Sequence, residues 1–241
     1  MRILITNDDG IFAPGIDALV KWACTLGEVT VVAPKVEQSG KSHSIEFVKP
    51  VEIREVSLWE GVRAYSMDST PADCVRFGIA GLGETYDLVL SGINRGVNLG
   101  ADLVYSGTVA AIFEAGRLGH RALALSTYPT TLREASAELS RVWAFIEKND
   151  LFAKNPLYNV NIPADPKGLR ITRQGSPYFS DVFELVSENM YLQTGCLIPD
   201  VSPDDETLDT VMTEKGYITL TPMLTTRTNL SVFEDLKYLN K

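Results

Sequence analysis

The sequence predicts an α/β fold of the doubly wound, Rossmann-like kind, with a mostly parallel sheet and a β-rich C-terminal extension. Three observations carry that expectation. Short, fully apolar runs alternate with stretches of helical periodicity up to about residue 168. The first of these runs ends abruptly in polar residues and glycine, and polar loops follow the strands after it. Beyond about Leu169 the helical periodicity stops. Strands alternating with helices imply βαβ units, and the ligands of such sheets bind outside the carboxyl ends of the strands.

Ile3-Leu4-Ile5-Thr6 followed by Asn7-Asp8-Asp9-Gly10 reads as a buried parallel strand that delivers polar groups at its C-terminal end. Ile16, Leu19, Val20, Ala23 and Leu26 recur at helical spacing until Gly27, and Val29 to Ala33 is a second apolar strand before a polar loop from Pro34 to Ser44. Between Phe47 and Met67 alternating valines and an isoleucine predict an inserted antiparallel pair. Thr70-Pro71 opens a helix through Ile79. Asp87 to Leu90 is a strand ending at Ser91-Gly92, and a long loop leads to a helix from about Thr108 to Leu118. Ala122 to Leu125 is the next strand, and Leu132, Ala135, Leu139, Val142 and Ile146 mark an amphipathic helix. In the tail, strand-like pieces are expected at Tyr191–Leu197, Thr210–Thr213 and Tyr217–Leu220, with a terminal helix from Val232 to Leu239. Strands without a covering helix need a partner surface. The expected organisation is a catalytic core over 1–168 and an oligomerising arm over 169–241, giving a homodimer or homotetramer.

The 241 residues are 45% hydrophobic, enough for one buried core. A net charge of −9 provides no basic stripe for counterion release and argues against a nucleic acid polymer as partner. A small phosphorylated molecule stays compatible, because one bound cation reverses the local field. Cys24, Cys74 and Cys196 are scattered without a CxxC pair, as in reduced cytoplasmic proteins. The chain opens on strand without a basic-then-apolar leader, and no apolar run nears the roughly 18 residues of a membrane span. The expectation is a cytoplasmic protein with no membrane partner.

Three stretches can carry chemistry. Asp8-Asp9 would ordinarily be turn formers or helix caps. Following a buried first strand, however, they stand where this fold places ligands, and two adjacent like charges are costly unless a cation neutralises them. Hard oxygen donors suit Mg²⁺, Mn²⁺ or Ca²⁺ rather than Zn²⁺, and the chain has only His43 and His120. Gln38-Ser39-Gly40-Lys41-Ser42 has ordinary loop composition but offers a hydroxyl as neutral oxygen donor. The third stretch runs from Ser91 to Asp102 and on through Tyr105-Ser106-Gly107-Thr108. Its glycines let backbone approach a ligand, and Ser106-Gly107-Thr108 at a helix start is either an ordinary cap or an anion site. The spacing matches neither the Walker lysine motif nor the dinucleotide fingerprint.

Asn7-Asp8-Asp9-Gly10, Ala13-Pro14-Gly15, Val32-Ala33-Pro34, Gln38-Ser39-Gly40, Thr70-Pro71-Ala72-Asp73-Cys74, Ser91-Gly92-Ile93-Asn94 and Tyr105-Ser106-Gly107-Thr108-Val109 together resemble the stationary-phase survival protein SurE family. The resemblance is continuous from Met1 to about Ser126 and returns at Asn159–Pro163 and Gly216–Pro222. It departs at Ser69, at Lys41-Ser42-His43 and over Phe179–Asp209. It implies a divalent-metal-dependent phosphatase acting on nucleoside 5′- and 3′-monophosphates, with some action on short polyphosphate. It also implies one Mg²⁺ or Mn²⁺ per subunit, held by Asp8, Asp9, Ser39 and Asn94. Asp8 and Asp9 are the expected catalytic residues, and Asn98, Ser106, Gly107 and Thr108 the expected substrate-binding ones. Three other readings compete: an aspartyl-phosphate mechanism, a nucleotide sensor without hydrolysis, and a metal-dependent glycosyltransferase. The last is disfavoured by the lack of an Asp-x-Asp motif.

Overall fold

A strand whose consecutive residues are all apolar must be covered on both faces. That is the situation of β1 (Arg2–Thr6), where Ile3, Leu4 and Ile5 are fully buried. The computed structural model describes residues 1–239. The strands that join β1 are β2 (Glu28–Pro34), β3 (Ile53–Val56), β4 (Arg63–Met67), β5 (Leu88–Arg95), β6 (Ala122–Thr127), β7 (Leu157–Ile162), β8 (Leu169–Ile171) and, after a separate hairpin of β9 (Val182–Ser187) and β10 (Met190–Thr194), β11 (Ile218–Pro222). They form a nine-stranded sheet in the order β3-β4-β2-β1-β5-β6-β7-β11-β8. From β4 to β7 every neighbouring pair is parallel. The inserted pair is antiparallel, as expected, with β3 as the sheet edge.

Helices cover both faces. Ile3, Ile5, Leu88 and Leu90 pack with α1 (Pro14–Ala23) and α4 (Leu132–Lys148), whose buried residues fall on one stripe each. The intervening Leu4, Val89, Ala122 and Ala124 pack with α2 (Pro71–Arg76) and α3 (Gly107–Arg117). Shorter helices are α5 (Leu151–Lys154), α6 (Asp209–Glu214) and α7 (Leu230–Leu236). Strand order reverses at β1: the chain first builds outward through β2 and β4, then returns to place β5 on the other side. That reversal opens a crevice at the carboxyl ends of β1 and β5, where doubly wound sheets bind ligands.

Some elements differ from the sequence reading. Thr210–Thr213, expected as strand for its β-branched residues, lies in α6, where residues 209–213 are all buried and tertiary packing outweighs propensity. The strand expected to end at Ser91-Gly92 runs on to Arg95, with a register shift between Ser91 and Asn94. Gly92 makes this continuation feasible: at φ +139° a side chain there would place its Cβ 2.3 Å from the Leu125 carbonyl oxygen. The helix from Pro71 ends at Arg76 and continues as a π-helical turn, Phe77–Gly81. β7 and α5 were not legible as elements. The segment after Leu169 goes to two places. β8 and β11 join the main sheet, β11 antiparallel to β7, whereas the β9–β10 hairpin and α7 stand apart and are exposed. Among the described residues no helix is long and apolar enough to cross a membrane.

Leu4 is fully buried in the central strand. Leu4→Ala is expected to destabilise the protein by about 2–5 kcal/mol, read from urea unfolding at constant slope.

Candidate active site

Chain direction places Asn7, Asp8 and Asp9 one after another where β1 leaves the sheet. The turn is made by Gly10, at φ +99°, whose carbonyl accepts the Asn7 side-chain amide at 2.8 Å. Asp8 is 5% exposed and faces the start of α3. Thr108 Oγ1 donates to Asp8 Oδ1 at 2.5 Å, and the Thr108 backbone also favours the ionised carboxylate. Gly107 lets this happen, because a Cβ there would sit 3.0 Å from Asp8 Cβ and 3.2 Å from Oδ2. Burial nevertheless wins. It pushes the Asp8 carboxyl up to about 6, with the Thr108 hydroxyl pulling the other way and the neighbouring Asp9 charge adding to the rise.

Asp9 is held from the other side of the crevice. Its Oδ2 accepts the Arg95 backbone N–H at 3.1 Å, and the Arg95 Nε lies 3.9 Å from Oδ1. Burial raises its pKa too, opposed by Arg95 and reinforced by Glu37. Asn94, the residue before Arg95, uses its Nδ2 on the Gly96 carbonyl at 2.7 Å, a bond that does not engage the amide's oxygen. Ser39 lines the same cleft as Asp8, on a loop pinned by the Gln38 N–H donating to the Asp8 carbonyl at 2.8 Å. The Ser39 hydroxyl itself donates to Glu37 Oε1 at 2.5 Å.

The expected substrate-binding residues divide by what they already bond. Ser106 is the N-cap of α3, and its Oγ accepts the Val109 N–H at 3.1 Å while lining the cleft. The Thr108 hydroxyl is buried and committed to Asp8, so it positions that carboxylate. Asn98 also borders the cleft, but its groups are tied to the sheet: Nδ2 donates to Ser126 Oγ and its carbonyl accepts from the side chains of Asn159 and Asn161, all within 2.8–2.9 Å. The cleft has a volume of about 820 Å³. Its far wall comes from Tyr178–Asp181, Phe183 and Gln193–Gly195, in the arm that the sequence connected with oligomerisation and substrate entry without naming residues. Arg95, Glu37 and Asp102 were likewise unassigned. Arg95 lies in the glycine-rich stretch from Ser91 to Asp102, but nothing in the spacing paired it with Asp9.

The donor set fits a hard divalent cation. Asp8 and Asp9 are adjacent carboxylates whose ionisation burial resists, and Arg95 lies against Asp9 but not Asp8. Asn7 Oδ1 is buried beside them with no hydrogen-bond partner among the described residues. Both histidines are already bonded outside this donor set, His43 to Glu114 and His120 to the Tyr86 carbonyl.

The family model described as survival protein SurE matches residues 3–181. This chain belongs to the SurE family. A relative named 5′-nucleotidase SurE from Thermosipho africanus is 38% identical over 242 residues, covering 95% of this chain and 93% of that protein. One of the same name from Clostridium botulinum is 38% identical over 251 residues, covering 98% of each. The crystal structure of SurE protein from Aquifex aeolicus superposes with a TM-score of 0.81 at 33% identity, covering both chains completely. This SurE chain therefore shares the fold of that structure.

The buried carboxylate makes a stability prediction. Asp8 ionises near 3.8 ordinarily and at about 6 in the folded protein, and the buried Asp209 is raised to about 6 as well. The folded state therefore holds protons more tightly than the unfolded state. Without metal, the stability linked to these groups is fully present below about pH 4 and is lost as pH rises through about 6. Asp8→Asn keeps an acceptor for Thr108 and removes the charge. The metal-free variant should lose less stability than the parent between about pH 4 and 7, by an amount on the order of 1–3 kcal/mol, in thermal melts across that range.

Proposed function

We propose that this SurE protein hydrolyses nucleoside 5′-monophosphates, and also 3′-monophosphates, to nucleoside and phosphate, with action on short polyphosphate. The observation that carries the reading is the pair of carboxylates at the strand-order reversal, one of them buried against the first turn of α3. A positive helix end beside an anionic metal site is an arrangement for a phosphate that a cation must also touch. The relatives' shared name, 5′-nucleotidase, supplies the substrate class.

Asp8 and Asp9 would be the anionic ligands of one divalent cation per subunit, Mg²⁺ or Mn²⁺, with Ser39 Oγ and the Asn94 side-chain oxygen as neutral ones. When bound, such an ion supplies Lewis-acid polarisation of a phosphoryl group and makes water a nucleophile at neutral pH. The protein's own groups do the rest. Thr108 fixes the orientation of Asp8 through its 2.5 Å hydrogen bond. Arg95 favours the ionised form of Asp9, and so keeps that carboxylate available as an acceptor for the attacking water's proton. Ser106 Oγ and the Gly107 N–H hold phosphate oxygens as charge redistributes in the transition state. Asn98 keeps the loop between β5 and α3 on the sheet and so fixes the cleft's floor.

The net charge of −9 does not attract a nucleic acid polymer, which supports small phosphorylated molecules as the substrates. We place the protein in the cytoplasm, where its three free cysteines stay reduced. The exposed apolar residues of α7, with those on the outward face of the β9–β10 hairpin such as Val186 and Leu192, support assembly into a homodimer or homotetramer.

Phosphate release from nucleoside monophosphates, assayed with and without Mg²⁺ or Mn²⁺, tests the reading. Asp8→Asn and Asp9→Asn should each lower turnover by more than about 100-fold, since each removes a ligand and a charge. Ser39→Ala should be milder, because water replaces a neutral ligand. Ser106→Ala should cost about 2–4 kcal/mol in transition-state binding. Nucleotide bound unchanged under all metals would mean a sensor instead. Turnover of both carboxylate variants near the parent's would place the chemistry elsewhere.

A further inference from the structure

The cleft that holds Asp8 and Ser106 is longer than a phosphate needs, and its far wall is aromatic. Phe179 and Phe183, both lining it, are 47% and 65% exposed. Two phenyl rings left facing water in one cleft forgo the burial that usually places such side chains inside. The Phe179 ring is braced rather than loose: the buried Tyr178 packs edge-on against it, with centroids 5.3 Å apart and planes at 85°. Phe183 lies at the root of the β9–β10 hairpin, directly opposite Gln193 in the antiparallel register, so the two share one face. Gln193 in turn donates to Asp181 Oδ1 at 3.0 Å, which places hydrogen-bonding edges next to the rings.

One of the ties between this wall and the phosphate end is short and direct. Asp102 Oδ2 accepts the backbone N–H groups of both Tyr178 and Phe179, at 2.8 and 2.9 Å. Asp102 lies in the 3₁₀ turn Gly100–Tyr105, which runs directly into Ser106, the cap of α3. The distance between the anion-binding helix start and the aromatic wall is therefore set within a few covalently linked residues.

We infer that Phe179 and Phe183 form the subsite for the purine or pyrimidine base, that Asp102 is the residue that positions it, and that the hairpin root thereby selects nucleotides over other phosphate monoesters. The inference rests on the nucleotidase reading of the Asp8 site and names which part of the substrate the second wall meets. A flat ring recognises a flat π-system; the glycerol of a simple glycerol ester offers none. Stacking on an aromatic side chain is tolerant of base identity and corresponds to about 5- to 150-fold in affinity per base.

The experiment compares kcat/KM for a nucleoside monophosphate with that for β-glycerophosphate, a monoester without a base, in the parent, Phe179→Ala, Phe183→Ala and Asp102→Ala. The ratio of the two values should fall about 5- to 150-fold in the phenylalanine variants, chiefly through KM for the nucleotide. Phe183→Tyr should restore it, and Asp102→Ala should move it in the same direction. A ratio that stays at the parent's value, whether or not both activities fall together, overturns the inference. Saturation-transfer NMR with the free nucleoside gives a second readout that needs no turnover: the parent should bind it and Phe183→Ala should not. Nucleoside binding that depends on Phe183 in a parent with no phosphatase activity would sink the nucleotidase reading and keep the base subsite. Hydrolysis of nucleotides with nucleoside binding indifferent to both rings would do the reverse.

Discussion

A carboxylate 5% exposed to solvent, in contact with the first turn of a helix and flanked in sequence by a second carboxylate, is an unfavourable arrangement for a chain to adopt on its own. Burial raises the Asp8 pKa to about 6, and the Asp9 charge adds to that rise rather than relieving it. Most of the surrounding geometry follows from accommodating this group. Gly107 lacks a side chain where one would press on Asp8, Thr108 turns its hydroxyl inward to it, and the Asp8 carbonyl anchors the loop that carries Ser39. A cation bound there would offset the like-charge repulsion, so the same feature that costs stability in its absence confers affinity.

The sheet explains why the cluster is at this place. β1 and β5 are parallel neighbours whose connections run to opposite sides, so their carboxyl ends leave an opening that helix α3 borders with its positive end. Continuing β5 past Gly92 carries Asn94 and Arg95 to that opening, and the Arg95 N–H reaches Asp9. Three separate stretches of sequence thus meet at one point because each follows a strand of the same sheet. The tail then supplies the remaining wall, through Asp102 gripping Tyr178 and Phe179. Asp209 and Asp200 fasten the same region, accepting backbone N–H groups from Gly100, Gly175 and Ser176.

Much of this was legible in the sequence, for local reasons. Apolar runs ended by polar residues identified β1, β2 and β6, and the spacing of Leu132, Ala135, Leu139, Val142 and Ile146 identified α4. The Asp8-Asp9 pair and the Ser106 cap could be picked out because strand ends and helix starts have their own residue chemistry. What was not legible depended on contacts between residues distant in sequence. The Thr108–Asp8 bond joins positions 100 residues apart. The burial of residues 209–213 in α6 comes from its packing on β11, with Asp209 at its start accepting the Gly100 N–H, and not from propensity. β7 escaped because Asn159 and Asn161 interrupt its apolar pattern, and both asparagines are buried there to hold Asn98. The aromatic wall has no local signature at all, since Phe179 and Phe183 look like ordinary hairpin residues until the fold sets them across from Asp8.

The central claim is that Asp8 and Asp9, at the end of the first strand, hold the metal on which phosphate release depends. Anomalous diffraction from crystals grown with Mn²⁺ would locate that ion directly. The account predicts one strong anomalous peak per subunit, within about 2.0–2.4 Å of an oxygen from each of Asp8 and Asp9, that disappears in Asp8→Asn crystals. A Mn²⁺ peak bound away from both carboxylates, in crystals of protein whose turnover requires that metal, would contradict it.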